Sequence, residues 1–519
     1  MKNPKKFWRK WKIAIILGLL LFFIAAFLRI YNLTNLPVFA DEAIYIRWAQ
    51  VMKAESTLRF LPLSDGKQPL FMWAVIPFLK VFSDPLFAGR FVSVLTGLAT
   101  IVGIFVAAQI LFNSKKVSLV AALIYCLSPF SLFFDRMALV DSMLAMFGVW
   151  VFIFATYTAK TLRFDFAMLT GFTLGGALLT KSPALFFSLL LPSTWLFAKW
   201  PKEKGKIARL VIRFIILFLV TYLIGYAMYN ILRLGPNFQL LTIRNMDYVY
   251  PIQHIFQSPL DPFKGHMGGI VDYFIRLGPW AFVILLIFGM VRGFKKNYME
   301  TLVLLAWGII PILVNAEFAK VLTARYLLFC LPFLAIIASQ AVLFKGLPGK
   351  IVYVTGLVFI ILALNQDRLL LTNVQAANLP HGERSGYLEE WTAGYGIQDV
   401  GNYLKAEKLK NPNSQFVVGT EGAFGTLPDG LQIYLNKNPD IIVIGLGIGF
   451  YKVPESLIDS KQAGNRTFLV INSTRMLIKD PAKSGLELVA AYPKALRRMG
   501  TLEYNLYGPQ ESLLFYELK

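Results

Sequence analysis

Long apolar runs alternate with short, charged breaks over the first two thirds of the chain, and the pattern then changes period. Apolar runs of roughly 17–22 residues match a hydrocarbon core of about 30 Å. They predict about eleven transmembrane helices, over residues 13–31, 88–112, 117–134, 142–159, 166–180, 183–199, 207–232, 273–291, 299–315, 327–344 and 351–368. No internal repeat of fixed period accompanies them. From residue 372 the runs shorten: "SQFVVGT" (414–420), "DIIVIGLG" (440–447), "TFLVINSTR" (467–475) and "SLLFYEL" (512–518) have the length and composition of short, mostly buried strands. "GIQDVGNYLKAEK" (396–408) is an amphipathic helix with Ile397, Val400 and Leu404 on one face. The expected organisation is an α-helical multispanning membrane domain over 1–371 and a small α/β domain outside the membrane over 372–519. "GLGIG" (445–449) is apolar all round and has the character of a tight turn rather than of a phosphate loop.

The charged breaks orient the helices. The leader "MKNPKKFWRKWK", "NSKK" (113–116), "AKTLR" (159–163), "KWPKEKGKIAR" (199–209), "RGFKK" (292–296) and "KGLPGK" (345–350) are all basic and all fall on one alternating face. The positive-inside rule makes that face cytoplasmic. The N-terminus is then inside, and the loop 32–87 and the C-terminal domain are extracytoplasmic, in a multi-pass protein of the cell membrane. The basic leader also fits a cleavable signal peptide, but no small-x-small cleavage site follows cleanly, so the first run is expected to be a retained anchor.

Composition narrows the function classes. The chain is 56% hydrophobic and 16% charged, with a formal net charge of +22. Residues 1–369 hold 37 Lys/Arg against 15 Asp/Glu, whereas residues 370–519 hold 15 of each. The whole excess therefore belongs to the membrane part, where basic loops meet anionic lipid. No basic, aromatic-interleaved soluble face is left to grip nucleic acid. Cys126 and Cys330 fall inside apolar runs, so neither a disulfide framework nor a thiolate metal site is indicated. His254, His266 and His381 have no partners at metal-ligand spacing.

Ionisable residues collect at the outer ends of the spans. "LPVFADEAIYIRWAQ" (36–50) places Asp41 and Glu42 just beyond the first span, and "SDGKQPLFMW" (64–73) places Lys67 ahead of a proline-started apolar helix. Asp135, Arg136 and Asp141 flank the third and fourth spans, Lys181 lies between the fifth and sixth, and Arg325 with Tyr326 opens the tenth. Taken singly each has a structural role open to it. The acids cap a helix, Lys67 snorkels, Arg136 pairs with Asp135 or Asp141, and Arg325 anchors in headgroups. Gathered on one face, ionisable groups at membrane depth point to a composite pocket. The segment "HGERSGYLEEWTAGYG" (381–396) is either a linker or a rim of that pocket.

In order along the chain, "ADEAIYIRWAQ", "GKQPLFMW", "FAGRFVSVLTGLAT" and "RMALVDSMLAMF" resemble the GT-C class of membrane glycosyltransferases. The nearest branches are the protein O-mannosyltransferases and the bacterial transferases that put aminoarabinose on lipid A. The similarity is clear over residues 13–200, weaker through "ARYLLFCLP" (324–332) and only architectural beyond. The resemblance implies a polyprenyl-phosphate sugar donor and a glycan, lipid or protein acceptor at the outer face of the bilayer. It makes Asp41 the general base, with Glu42 and Asp141 beside it in the catalytic group. Lys67, Arg325, Tyr326 and Lys181 are expected to hold the donor phosphate, with Arg136 and Arg47 in support, and transfer is expected to invert the sugar. No cofactor is required; a divalent ion between Asp41 and Asp141 is the one metal the resemblance allows. The motif here is Lys-Gln-Pro, and Gly66 stands where the lipid A branch has an acid. A polytopic lipid or sugar transporter is the rival class, but such proteins place charges near the midplane in repeated halves.

Overall fold

The computed structural model describes residues 4–519, with side chains from Trp8 onward. The chain divides into two compact units, one of residues 1–33, 57–74 and 90–380, the other of residues 34–56, 75–89 and 381–519. The first outer loop is thus split between them. The second unit is discontinuous, whereas the sequence suggested one continuous domain from residue 372. Thr372 itself ends the helix Gly346–Thr372.

The first unit is helical. Among the described residues seven helices are long and apolar enough to cross a membrane: Trp8–Ile30, Pro85–Phe112, Val140–Thr161, Lys204–Leu234, Tyr298–Phe318, Ala324–Leu343 and Gly346–Thr372. An eighth is formed if Phe263–Arg276 and Trp280–Lys296, which meet at 102°, make one broken span. The count of eleven is not confirmed: three expected spans are not single long helices, and in two of them proline interrupts the apolar run. Pro129 divides the expected span 117–134 into Lys115–Leu127 and Pro129–Phe134. Pro183 and Pro192 turn the expected span 183–199 into short 3₁₀ and α segments, and Gly278-Pro279 sits at the sharp bend. A ring without an N–H removes a helical hydrogen bond and clashes one turn back, so apolar length does not become helical length. Phe164–Thr180 stands as a shorter apolar helix.

A buried charge cluster joins these helices. Arg29, at the end of the first helix, donates from Nε and Nη2 to Asp135 Oδ2 at 3.0 and 2.9 Å, with both side chains fully buried. Ser142 donates to the other oxygen of Asp135 at 2.7 Å. Arg136 turns back to the same helix end and donates to the carbonyls of Leu28, Arg29, Tyr31 and Asn32 at 2.7–3.0 Å. It thereby satisfies carbonyls that a helix leaves without partners at its C-terminus. Gly97 passes so close to Asp135 that a Cβ would lie 2.5 Å from its carboxyl carbon.

The second unit is built on a five-stranded sheet of order β2-β1-β3-β5-β4. Its strands are β1 (Phe416–Thr420), β2 (Ile441–Gly445), β3 (Arg466–Asn472), β4 (Leu486–Leu496) and β5 (Gln510–Leu518). β2, β1 and β3 run parallel, and β5 and β4 continue the sheet antiparallel. Helices Asp429–Leu435 and Glu455–Gln462 make the two crossovers that parallel pairing requires. The expected helix appears as Ile397–Lys410, with Ile397, Val400 and Leu404 buried. β4 was not foreseen; it carries Pro493 and lies at the sheet edge, where a missing N–H is tolerated. Gly447 and Gly449 have positive φ, so "GLGIG" ends in a turn.

The segment 381–396 is not a plain linker. Ala40 N–H donates to Thr392 O at 3.1 Å, Gly394 N–H to Val38 O at 2.9 Å, and the Phe39 and Tyr387 rings lie 4.3 Å apart. It forms the backbone partner of the residues that lead into the helix Ala40–Ala54.

A polar network closes the second unit. Arg497 donates to both oxygens of Glu390 (2.6 and 3.1 Å) and to Glu511 (2.8 Å), while Glu421 accepts from Asn472 and Arg475. Lys494, only 3% exposed, donates to Glu390 O at 3.0 Å. Burial pushes its pKa down to about 8, with Glu511, Glu421 and Glu390 opposing. Below the unfolded-state value, near 10.4, the unfolded chain then holds the extra proton, so stability rises with pH between about 8 and 10. The expected result is that wild type gains on Lys494→Met across that window, by up to about 3 kcal/mol. Thermal unfolding of both proteins at a series of pH values checks this; parallel curves would mean that the buried ammonium is not destabilised.

Candidate functional site

The first unit contains a cleft of about 410 Å³ lined by Lys67, Lys181, Arg244, Tyr248 and Tyr326, with apolar walls from Leu185, Phe186, Leu189, Val314, Phe318 and Val321. Its polar groups come from separate parts of the chain. Lys67 follows a 3₁₀ turn, Leu61–Asp65, that Gly66 ends in the left-handed region at φ +66°. Lys181 follows directly on the helix Phe164–Thr180, and Tyr326 lies in the 3₁₀ segment Ala324–Cys330. Arg244 and Tyr248 belong to the helix Leu240–Tyr248.

Charge in the cleft is unequally matched. Lys181 Nζ lies 2.6 Å from Asp141 Oδ1, which the first turn of the helix Val140–Thr161 presents. The same ammonium sits 4.2 Å from the centre of the Tyr326 ring, and the Arg325 guanidinium lies 5.4 Å from that ring. Arg244 pairs with Asp65 at 2.6 Å and with Asp247 at 2.9 Å. The Asp65 carboxylate, by hydrogen bond and charge, holds that guanidinium above its ordinary pKa. Lys67 is different. Its Nζ lies 3.4 Å from the Tyr248 hydroxyl and 4.7 Å from the ring centre, and among the described residues it has no carboxylate partner. Beside it Gln68 donates to Ser182 at 2.9 Å, and Ser182 shares a 3.3 Å hydrogen bond with Asn245.

The apolar wall is open on one side. Leu185, Leu189 and Val321 are 50%, 68% and 59% exposed. In a chain with spans of this length, exposed leucine and valine beside a cleft face hydrocarbon more readily than water. The arrangement suits an amphiphile with an anionic head and a long apolar tail.

The remaining expected site residues are placed as follows. Asp41 and Glu42 occupy the first turn of the helix Ala40–Ala54 in the second unit, and Glu42, fully buried, accepts from Phe39 N–H at 3.0 Å. Arg47 donates to Asn436 at 2.8 Å in that same unit. Arg136 is spent on the carbonyls at the end of the first helix. Of the histidines, His254 stacks on Tyr250, His266 contacts Ala316 O and His381 lies 3.3 Å from Glu503. Tyr248, Arg244, Asp65, Gln68 and Asn245 were not anticipated. "RNMDY" (244–248) sits in a long loop whose fold back onto Lys67 leaves no periodic signal.

The family profile described as dolichyl-phosphate-mannose-protein mannosyltransferase matches residues 66–224. No curated protein sequence matches the chain. Among solved structures, ArnT from Cupriavidus metallidurans in the apo state is similar over 100% of this chain and 99% of its own, at 15% identity and a TM-score of 0.57. The same protein bound to undecaprenyl phosphate gives 14% identity, 99% and 98% coverage and a TM-score of 0.55. The oligosaccharyltransferase from Archaeoglobus fulgidus in the apo form covers 89% of this chain and 70% of its own, at 13% identity and a TM-score of 0.52. At such identities the likeness is one of fold.

Gly66 gives a direct test of how Lys67 is positioned. A Cβ there would lie 2.6 Å from Arg244 Cβ and 2.8 Å from Leu240 O, at a φ that costs a side chain about 1–2 kcal/mol before any contact. Gly268, inside the helix Phe263–Arg276, has open space around it. Gly66→Ala is expected to lower the unfolding temperature, whereas Gly268→Ala leaves it unchanged or raises it. A neutral Gly66→Ala would mean that the turn and the helix Leu240–Tyr248 are not packed as described.

Proposed function

We propose that this chain, which has the fold of the GT-C class of membrane glycosyltransferases, transfers a hexosyl or pentosyl group from a polyprenyl-phosphate donor to an acceptor hydroxyl. The observation that supports it most is Lys67, a cation without a carboxylate among the described residues, in a cleft with an exposed apolar wall. The wall takes the first isoprene units. Lys67 takes the phosphate, with the Tyr248 hydroxyl as a further donor and Lys181, paired with Asp141, beside it. The ArnT structure with undecaprenyl phosphate gives a precedent in this fold for such a lipid.

The chemistry follows from the leaving group. When the bond from the anomeric carbon to the phosphate oxygen breaks, its electron pair stays on phosphate, an anion of low basicity. No general acid is then needed, unlike the two-carboxylate arrangement of glycoside hydrolysis. The acceptor hydroxyl attacks the opposite face of that carbon and gives its proton to a base, which inverts the configuration. The resemblance assigns the base to Asp41. Glu42 holds the turn on which Asp41 is carried, by its bond to Phe39 N–H. Lysine and tyrosine donors aimed at the departing phosphate stabilise charge as it develops. Asp141 already accepts from Lys181 at 2.6 Å, and among the described residues no three His, Cys, Asp or Glu side chains gather as metal ligands. No step here is routed through a divalent ion.

Two mutants separate the roles. Asp41→Asn keeps size but removes proton acceptance, so transfer is expected to fall by about 10²–10⁴-fold while donor affinity stays near wild type. Lys67→Ala removes a charge-assisted contact, so donor affinity and transfer are both expected to fall. Donor binding and turnover measured with both proteins in one lipid composition check this. Asp41→Asn with near-normal turnover would leave the acid as a helix cap only.

The charge pattern supports an extracytoplasmic site in the cell membrane. Single cysteines at the exposed Ser64 and Ser484, in a protein lacking the buried Cys126 and Cys330, are expected to react with an impermeant maleimide in intact cells. One at Ser114 is expected not to react. Equal labelling of Ser64 and Ser114 would overturn the orientation.

A further inference from the structure

The second unit contains a separate cleft of about 390 Å³ to which the reaction above gives no role. Its walls come from the helix Ala40–Ala54, residues 79–85, the helix Ile397–Lys410 and residues 433–438. Five amide side chains line it: Gln50, Gln398, Asn402, Asn436 and Asn438. An amide offers both donors and an acceptor, which is what a ligand rich in hydroxyls requires.

Gln50 makes this more than a polar surface. It is 7% exposed, and its Nε2 donates to Ile433 O at 2.9 Å, while its Oε1 is buried without a hydrogen-bond partner. A buried acceptor left without a donor is costly, so this amide is held at the cleft wall against its own hydrogen-bonding preference. The cleft is also positively charged. Lys53, Lys405 and Lys437 line it against one acid, Asp84, whose Oδ1 accepts from the Leu86 and Phe87 N–H groups. Burial lowers the pKa of Lys405, Asp84 raises it, and the neighbouring Lys437 lowers it again. Two ammonium groups facing one cavity repel each other, and an anion between them relieves that repulsion. Phe82 and Tyr434 add apolar lining between the polar groups. The volume is that of an ordinary small-ligand pocket.

We propose that this cleft binds an anionic saccharide, a short glycan carrying carboxylates, with the amides on its hydroxyls and Lys405 and Lys437 on its charge. The site rests on the second unit alone and holds whether or not the chain transfers a sugar.

The test uses the full chain in nanodiscs of zwitterionic lipid. Trigalacturonic acid is titrated by calorimetry beside its carboxyl-reduced counterpart and beside inorganic sulfate. The expected result is that the acidic trisaccharide binds at least about tenfold tighter than either control. Lys405→Gln and Lys437→Gln are each expected to weaken it by about tenfold at an unchanged unfolding temperature. Asp84→Asn keeps an acceptor for the Leu86 and Phe87 N–H groups and removes the opposing charge, so it is expected to tighten binding. Equal affinity for the neutral trisaccharide would remove the charge requirement. Equal affinity for sulfate would reduce the cleft to a point-charge site. Lysine variants that bind the acid as wild type does would place the ligand elsewhere. Any of these three results overturns the proposal.

Discussion

The first unit depends on the buried pair of Arg29 and Asp135. Two charges away from water carry a desolvation cost of several kcal/mol each, and only close geometry with every other lone pair satisfied offsets it. That condition is met: Arg29 approaches from two nitrogens, and Ser142 occupies the second oxygen of Asp135. Removing one partner of such a pair typically costs about 3–5 kcal/mol, because the other is left charged and buried. The pair therefore fixes the end of the first helix against the start of Val140–Thr161. Arg136, next in sequence, then binds the last carbonyls of that first helix. Asp141 is presented one turn further on, so the position of the Lys181 contact is inherited from a charge pair outside the cleft.

The second unit solves a related problem with backbone. Asp41 sits where a chain leaving a helix would be free to wander. Residues 38–40 are held by hydrogen bonds to 392 and 394, and Glu42 returns to Phe39 N–H. A carboxylate in the first turn is also favoured by the helix dipole. Two acids side by side thus divide between holding the turn and being carried on it, which identical chemistry in sequence does not distinguish.

Periodicity and charge made most of the architecture legible. The long apolar helices, the helix Ile397–Lys410 and four of the five strands follow from local pattern, because each buries one continuous face. What escaped has a physical cause in each case. Pro129, Pro192 and Pro279 lie inside apolar runs whose hydropathy is uninterrupted, and β4 carries a proline that argues against a strand unless the strand lies at an edge. Among the site residues, Lys67, Lys181, Tyr326 and Asp141 were visible as polar groups at span ends. Tyr248 and Arg244 were not, since their contact with 65–67 spans about 180 residues and no local rule reports it. Arg136 was visible, but its target was not: a guanidinium serves a carbonyl cap as well as a phosphate, and sequence does not say which.

Lys67 shows how such a cleft keeps its charge available. A lone ammonium beside hydrocarbon is expensive, and the simplest remedy is a carboxylate. Arg244 and Lys181 are treated in that way, by Asp65 and by Asp141. Had Lys67 been given the same partner, an incoming phosphate would have to displace a full negative charge already in place. The Tyr248 ring and hydroxyl stabilise the ammonium by cation–π attraction and a weak hydrogen bond without neutralising it. In the proposed function the phenol has a second use, its O–H donating to the phosphate that Lys67 holds. An aromatic neighbour therefore holds the cation in position while leaving its full charge for the ligand, which a carboxylate at the same distance does not do.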